Sequence, residues 1–380
     1  MHSSVVVVGT FPPTQCGLAT FTRSTATAIA EGRKVGVVEL VDAPRGLLAS
    51  LVCDTWVRND PASLRHVIST IASYDAVIVQ HEFGIYGGQD GDEVLQLVRG
   101  LHQPLVVVLH TILESPSQHQ REILEELAAR ADIVVTLTAT ARNRLLRTVT
   151  ANASKVVVVP HGAHEVAYRA DSVNGDPRVV LTWGLLGPGK GIEHAIAAMA
   201  RLEDLDPAPE YWIVGETHPK VFESNGEEYR NRLVGDAERL GIAHRVKFFD
   251  GYRDLRSLHG LVAQADLVVL PYDSREQVTS GVLVEAIAAG LPVVATGFPH
   301  ARELLADGCG LVVPHEDPVA LSQAIRMVLT DSTLRLRLRD RARAIAPSLY
   351  WPAIGRTFGS LVERCVAESG RIDAKRSVSA

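Results

Sequence analysis

Hydrophobic residues along the chain gather in short, β-branched, uninterrupted runs separated by longer mixed stretches. In the first half the runs are Val5 to Val8, Val35 to Val41, Ala76 to Gln80, Leu105 to His110, Ile133 to Thr138 and Val156 to Pro160. In the second half they are Val179 to Trp183, Tyr211 to Val214, Val246 to Phe249, Leu267 to Pro271, Val293 to Thr296 and Leu311 to Pro314. A strand covered on one face alternates apolar with polar residues, whereas a strand covered on both faces reads as a continuous apolar run. The rhythm therefore predicts an α/β fold with two doubly wound parallel-sheet domains. The polar stretch Tyr168 to Arg178, YRADSVNGDPR, carries Asn-Gly and Asp-Pro turn signals. It is read as the linker between a domain over 1–168 and a second over 178–346. A last helix is expected over 347–368, where YWPAIGRTFGSLVERCVAE opens on aromatics and keeps amphipathic spacing. Ser369 to Ala380 lacks apolar periodicity and is expected to fray.

Length and composition agree with two domains, since 380 residues exceed one ordinary core. A formal net charge of −6 argues against an electrostatic nucleic-acid binder. The cysteines, Cys16, Cys53, Cys309 and Cys365, form no C-x-x-C pair, so neither a zinc site nor a disulfide framework is indicated and a reducing compartment fits. The apolar run in MHSSVVVVGTFPP is too short for a signal peptide, and no 18-residue apolar segment follows. The expectation is a cytoplasmic protein with at most peripheral membrane contact. Asp90-Gly91-Asp92 imitates a D-x-D metal motif but is read as solvated acid in a loop, so no metal is expected.

In open α/β sheets, ligands sit beyond the carboxyl ends of the strands. After the first run comes GTFPPTQCGLATFT, where Gly17 precedes a helical pattern and offers bare backbone N–H groups to an anion. Three first-domain runs end in a histidine, His81, His110 and His161, the first followed by Glu82. A lone histidine is more often structural; for the trio, strand-end position and residue type agree, and a functional rim is expected. The second domain opens with TWGLLGPGKGIEHAI, close to the nucleotide-triphosphate pattern G-x-x-x-x-G-K-[ST]. Gly191 stands where that pattern needs a hydroxyl for Mg²⁺, so what survives in Gly189, Lys190 and Gly191 is a phosphate-binding turn without a metal ligand. Further on, Thr279-Ser280-Gly281 begins a helix that ends at Gly290. Its N-terminus can receive a diphosphate, and Glu285, one turn in, can accept the hydroxyls of a ribose. The alternative for Glu285 alone is a glutamate favoured by the helix dipole.

Over nearly its whole length the chain resembles the glycosyltransferase family 4 enzymes, which are retaining nucleotide-sugar transferases of the GT-B fold. The resemblance rests on PPTQCGLATF, HEFG, LHT, VVPHGAH, GLLGPGKGIEHAI, IVGETHP, FFDGY and GVLVEAIAAGLPVVAT with PHARELL after it. It implies two Rossmann-like domains facing a central cleft, with the last helix crossing back onto the first. It implies hexosyl transfer, mannosyl or glucosyl, from a donor such as GDP-mannose or UDP-glucose to a hydroxyl of a carbohydrate or glycosylated small molecule. No metal or cofactor is called for.

By the same resemblance, Lys190 holds the diphosphate with the N–H groups near Gly17 and at Thr279 to Gly281. His110 contacts the transferred sugar or its departing oxygen, and Glu285 matches the second glutamate of the family's E-x(7)-E motif. His81, Glu82 and His161 are assigned to the acceptor or sugar rim. The sequence departs from the pattern in two places: Gln277 stands where the first glutamate belongs, with Glu276 one position early, and Leu185 stands where an arginine is frequent. Gln277 is still expected to bond sugar hydroxyls, and Arg245 or Lys247 is considered as a replacement cation. The PHG, GETHP and QVTSG variants resemble a subgroup associated with mannosyl transfer and incline the reading that way. A GT-B sugar-nucleotide 2-epimerase and a catalytically silent sugar-nucleotide-binding protein are the alternatives.

Overall fold

The valine-rich runs pair side by side into two parallel sheets. The structure, a computed structural model, describes residues 2–46, 49–166, 178–251 and 253–378. Of the linker expected over Tyr168 to Arg178, residues 168–177 lie outside the described residues, as does Tyr252 of FFDGY. The chain divides into two units, one of Met1–Gly162 with Trp351–Ala380 and one of Ala163–Tyr350.

The first unit is built on seven strands, β1 (Val5–Gly9), β2 (Val35–Val41), β3 (Val52–Val57), β4 (Ala76–His81), β5 (Leu105–Leu109), β6 (Ile133–Thr136) and β7 (Val156–Val158). They lie in the order β3-β2-β1-β4-β5-β6-β7, all parallel, with Val5 of β1 opposite both Val35 and Ala76. Val5 to Val8 are 0% exposed, as a strand paired on both sides and covered on both faces must be. Strand β3 was not among the expected runs. It lies at the sheet edge, buries only Val52 and Trp56, and carries Asp54, whose carboxylate accepts from Thr70 Oγ1 at 2.6 Å. An edge strand has one neighbour and does not need a continuous apolar run, so it left no periodic signal.

The C-terminal helix runs over Trp351–Val378, beyond the expected end at 368 and through most of the tail expected to fray. Its inner face, Trp351, Ile354, Phe358, Leu361, Val362 and Cys365, joins the core formed by β1, β4, β5 and the helix Gly17–Ile29. Gly355 lets it approach that helix, since a Cβ there would stand 2.5 Å from the Ala28 carbonyl oxygen. Pro347 belongs to the preceding helix, Ser332–Leu349.

The second unit carries β8 (Val179–Trp183), β9 (Glu210–Val214), β10 (Val246–Phe249), β11 (Leu267–Leu270), β12 (Val293–Thr296) and β13 (Gly310–Val313) in the parallel order β10-β9-β8-β11-β12-β13. The order reverses direction beside β8, the place where ligands bind in doubly wound sheets. Ala163 and Val166 pack in this unit's core, and the Ala163 N–H donates to Leu349 O at 2.8 Å, so the unit begins ahead of 168. No helix among the described residues is long and apolar enough to cross a membrane.

Candidate functional site

In the second unit, the turn after β8 is held by backbone. The Lys190 N–H donates to Gly187 O at 3.1 Å, and the Asp273 N–H, from beyond β11, donates to Gly189 O at 3.0 Å. Gly191 sits at φ 61° as the N-cap of the helix Ile192–Met199. A Cβ on it would stand 1.9 Å from the Pro271 carbonyl oxygen, so both conformation and space demand glycine. The turn sets the Lys190 ammonium 4.6 Å from the centroid of Tyr272, whose ring stacks on Phe298 at 5.2 Å. Among the described residues Lys190 has its aromatic contact and no carboxylate pair, and burial lowers its pKa. A partly desolvated cation held over an aromatic face and lacking a counter-ion is a place for an anionic ligand.

Strand β11 leads through the loop 271–280 to the helix Gly281–Ala288. Ser280 caps it, with Oγ accepting from the Leu283 N–H at 3.2 Å. The Ser280 N–H donates to Nδ1 of His300 at 2.8 Å. This amide, expected to face an anion, is therefore already used inside the protein. The Gly281 and Val282 amides have no acceptor among the described residues and point to the same helix terminus. Gln277 is half-buried and its Nε2 donates to Thr279 O at 3.0 Å, whereas Glu276 is exposed. The contact accounts for an amide at this position: a carboxylate would set oxygen against oxygen, whereas Gln277 makes the bond and keeps Oε1 for a ligand. Glu285 accepts from the Trp183 indole N–H through Oε2 at 3.1 Å, leaving Oε1 for another donor. Burial pushes its carboxyl up, against the Trp183 bond, which pulls it down.

In the first unit, the helix Gly17–Ile29 starts behind β1 with Cys16 as its cap, Sγ accepting from the Ala19 N–H at 3.3 Å. Gly17 is exposed, and a Cβ there would meet nothing within 4 Å. Phe21 of this helix stands 4.7 Å from His110 and 5.0 Å from His161, edge-on to both. The His110 backbone N–H donates to His81 O at 3.1 Å, so the structure brings the three strand-end histidines together. Burial lowers their pKa values to about 3 for His81, about 3 for His110 and about 4 for His161. All are neutral near pH 7. His110 Nε2 faces Gln80 Oε1 at 2.7 Å; because that oxygen only accepts, the proton is on Nε2 and Nδ1 is left as an acceptor. His161 donates from Nδ1 to Gly162 O at 2.6 Å.

His81 departs from the rim expectation. It is 0% exposed, between Phe83 and Tyr86, and neither ring nitrogen has a hydrogen-bond partner among the described residues. As the last residue of β4 it points into a covered layer, and strand-end position alone could not tell that face from the open one. Glu82, next to it, accepts from the Thr111 hydroxyl and from the Phe83 N–H at 3.1 Å.

The two cations considered as replacements at the diphosphate are committed elsewhere. Arg245 is 7% exposed and donates to Pro209 O at 3.2 Å, and Lys247 donates to both Glu210 oxygens at 2.7 Å. The acids of Asp90-Gly91-Asp92 are not merely solvated, because His119 sets Nδ1 3.1 Å from Asp90 and Nε2 3.4 Å from Asp92. No group of ligands that could hold a metal ion is found among the described residues. Trp183, Tyr272 and His300 went unassigned in the sequence. The signal was there in part: Trp183 ends a strand, Tyr272 follows one, and His300 lies in PHARELL, yet side-chain partners remote in sequence give their roles.

Residues 165–345 match the family described as glycosyl transferases group 1. The chain is similar to the D-inositol 3-phosphate glycosyltransferase of Corynebacterium glutamicum (strain R), with 28% identity over 288 residues, 70% of this chain and 67% of that protein. It is similar to the lipopolysaccharide glucosyltransferase WaaG of Escherichia coli (strain K12), with 30% identity over 187 residues; that match spans 48% of this chain and 46% of the relative. Among solved structures, Anabaena Alr3699/HepE in complex with UDP and glucose superposes with a TM-score of 0.76 at 20% identity, covering 96% of this chain and 100% of that one.

Proposed function

We propose that this chain, a glycosyltransferase of the GT-B fold whose residues 165–345 belong to the glycosyl transferases group 1, moves a hexosyl group from a nucleotide-diphosphate sugar to an acceptor hydroxyl with retained anomeric configuration. The observation that carries the reading is the Lys190 ammonium, held by a glycine-demanding turn over Tyr272 with no carboxylate to pair with among the described residues. A leaving diphosphate supplies the missing charge. In an oxocarbenium-like transition state, negative charge grows on that leaving group, and preorganised donors lower the barrier most. Lys190 and the open Gly281 and Val282 amides fill this role. Glu285 takes a ribose hydroxyl on Oε1, Gln277 takes a sugar hydroxyl on Oε1, and His110 offers Nδ1 to the transferred sugar or its departing oxygen. Gly17 adds an amide on the first unit, where Glu82 and His161 line the acceptor side.

Both GDP-mannose and UDP-glucose are donors to test: the sequence variants incline to mannosyl transfer, and the Anabaena protein was solved with UDP and glucose. The acceptor is a carbohydrate or a glycosylated small molecule. The reading places the reaction in the cytoplasm, in keeping with four free cysteines. A panel of nucleoside diphosphates and their sugars tests it by thermal shift. A ligand at 100 times its dissociation constant adds about 2.7 kcal/mol, and the anomeric coupling of the product then reports retention. A panel that moves no midpoint defeats the donor assignment, and an inverted product defeats the retaining one.

A further inference from the structure

The helix Pro299–Leu304 carries a histidine that touches the candidate site from behind. His300 is 4% exposed and bonds the loop 277–280 at both ends, its ring Nδ1 accepting the Ser280 N–H at 2.8 Å and its own N–H donating to Gln277 O at 3.4 Å. Because Nδ1 accepts an amide proton, it carries none itself, and the imidazole is held in the neutral form with the proton on Nε2. Two residues earlier, Phe298 stacks on Tyr272, the ring beneath Lys190. The same short segment is thus the common reference for the ammonium and for the start of the helix Gly281–Ala288. The Arg302 Nε–H fixes the segment's own entry by donating to Gly297 O at 2.7 Å.

The first amides of a helix compete for whatever acceptor lies at the terminus. Taking the Ser280 amide out of that competition leaves Gly281 and Val282 as the pair aimed outward. We infer that His300 is a positioning residue of the donor site: by holding the Ser280 amide and the Gln277 carbonyl it sets the Gly281 and Val282 amides in place for a nucleotide's diphosphate. The inference rests on the donor reading proposed above. It assigns His300 to the diphosphate alone, with no part in recognising the nucleoside.

That separation makes it testable without the acceptor. Calorimetry on the full chain compares UDP with uridine and GDP with guanosine, for the unaltered protein, H300A, H300N and H300Q. Asparagine puts Oδ1 where the ring has Nδ1 and accepts the Ser280 N–H; glutamine puts its oxygen one bond too far. In H300A the diphosphate affinity is expected to fall about 10-fold or more, the cost of misplacing hydrogen bonds to a charged group, with nucleoside affinity unchanged. H300N should return within about 3-fold of the unaltered protein, and H300Q should behave like H300A. If H300A does not fold, the contrast between H300N and H300Q carries the test.

Three results overturn the inference: H300A binding diphosphates like the unaltered protein, H300N as weak as H300Q, or equal losses for nucleoside and diphosphate, which mark a merely structural residue. If the unaltered protein binds neither UDP nor GDP, the donor reading itself falls and takes this inference with it.

Discussion

Replacing Gly191 with alanine probes the turn on which the donor assignment depends, and its cost can be worked from two observations. Gly191 lies at φ 61°, where an L side chain costs roughly 1–2 kcal/mol. Its new Cβ would also stand 1.9 Å from the Pro271 carbonyl oxygen, against a floor of 3.0 Å for real contacts. The turn or the end of β11 must therefore yield by about 1 Å. The movement is not local, because Asp273 beyond β11 bonds Gly189 O, and Tyr272 beside it supports Lys190. A displacement of that size at a reacting centre costs on the order of 10² in rate.

Gly189→Ala is the internal control. It too has a positive φ, 87°, but its Cβ would meet nothing within 4 Å, so it pays only the conformational cost. Urea unfolding should place Gly191→Ala roughly 1–3 kcal/mol below Gly189→Ala, in the range of overpacking. Nucleoside diphosphate release from the donor should fall much further in Gly191→Ala. Equal stability and equal turnover in the two variants would refute the close contact and the rigidity attributed to the turn.

Lys190→Ala should lower turnover by about 10² to 10³, the loss of one preorganised transition-state contact; near-normal nucleoside diphosphate release would remove Lys190 from the mechanism. Gln277→Ala should cost about 1–3 kcal/mol in kcat/KM. Gln277→Glu should be impaired as well, because its carboxylate would face Thr279 O, and an unimpaired Gln277→Glu would show that this contact does not matter in the working enzyme. His81 predicts acid lability. Its folded pKa is near 3 and the unfolded one near 6.5, so the unfolded chain takes the proton first and stability falls as pH drops between those values. The slope is at most about 1.4 kcal/mol per pH unit, and His81→Gln should flatten the urea-derived stability profile by close to one proton between pH 6 and 5. His119 works in the opposite sense. Its hydrogen bond to Asp90 leads the effects that raise its pKa, so its contribution is complete below the unfolded value and is lost as pH rises through the folded one. The stability difference between the unaltered protein and His119→Gln should close on going from acid to alkaline pH.

The continuous apolar runs determined the layered α/β plan, because a strand covered on both faces by helices leaves a local trace that needs no knowledge of its neighbours. The glycine turn was legible for the same reason: a left-handed N-cap and a lysine beside it are features of adjacent residues. The edge strand Val52–Val57 left no such trace, since pairing on one side only allows Asp54 and Thr55 inside it. At the site, sequence could nominate Ser280, Gln277 and His81 but not their employment. Ser280 gives its amide to a ring twenty positions away, Gln277 spends its Nε2 on Thr279 O, and His81 ends a strand on the covered face. Arg245 and Lys247 carry charge in the sequence, but the tertiary structure has spent it on Pro209, Glu203 and Glu210. Periodicity reports which face of an element is apolar. Which polar atom finds which partner depends on distances between elements, and those exist only once the sheets have formed.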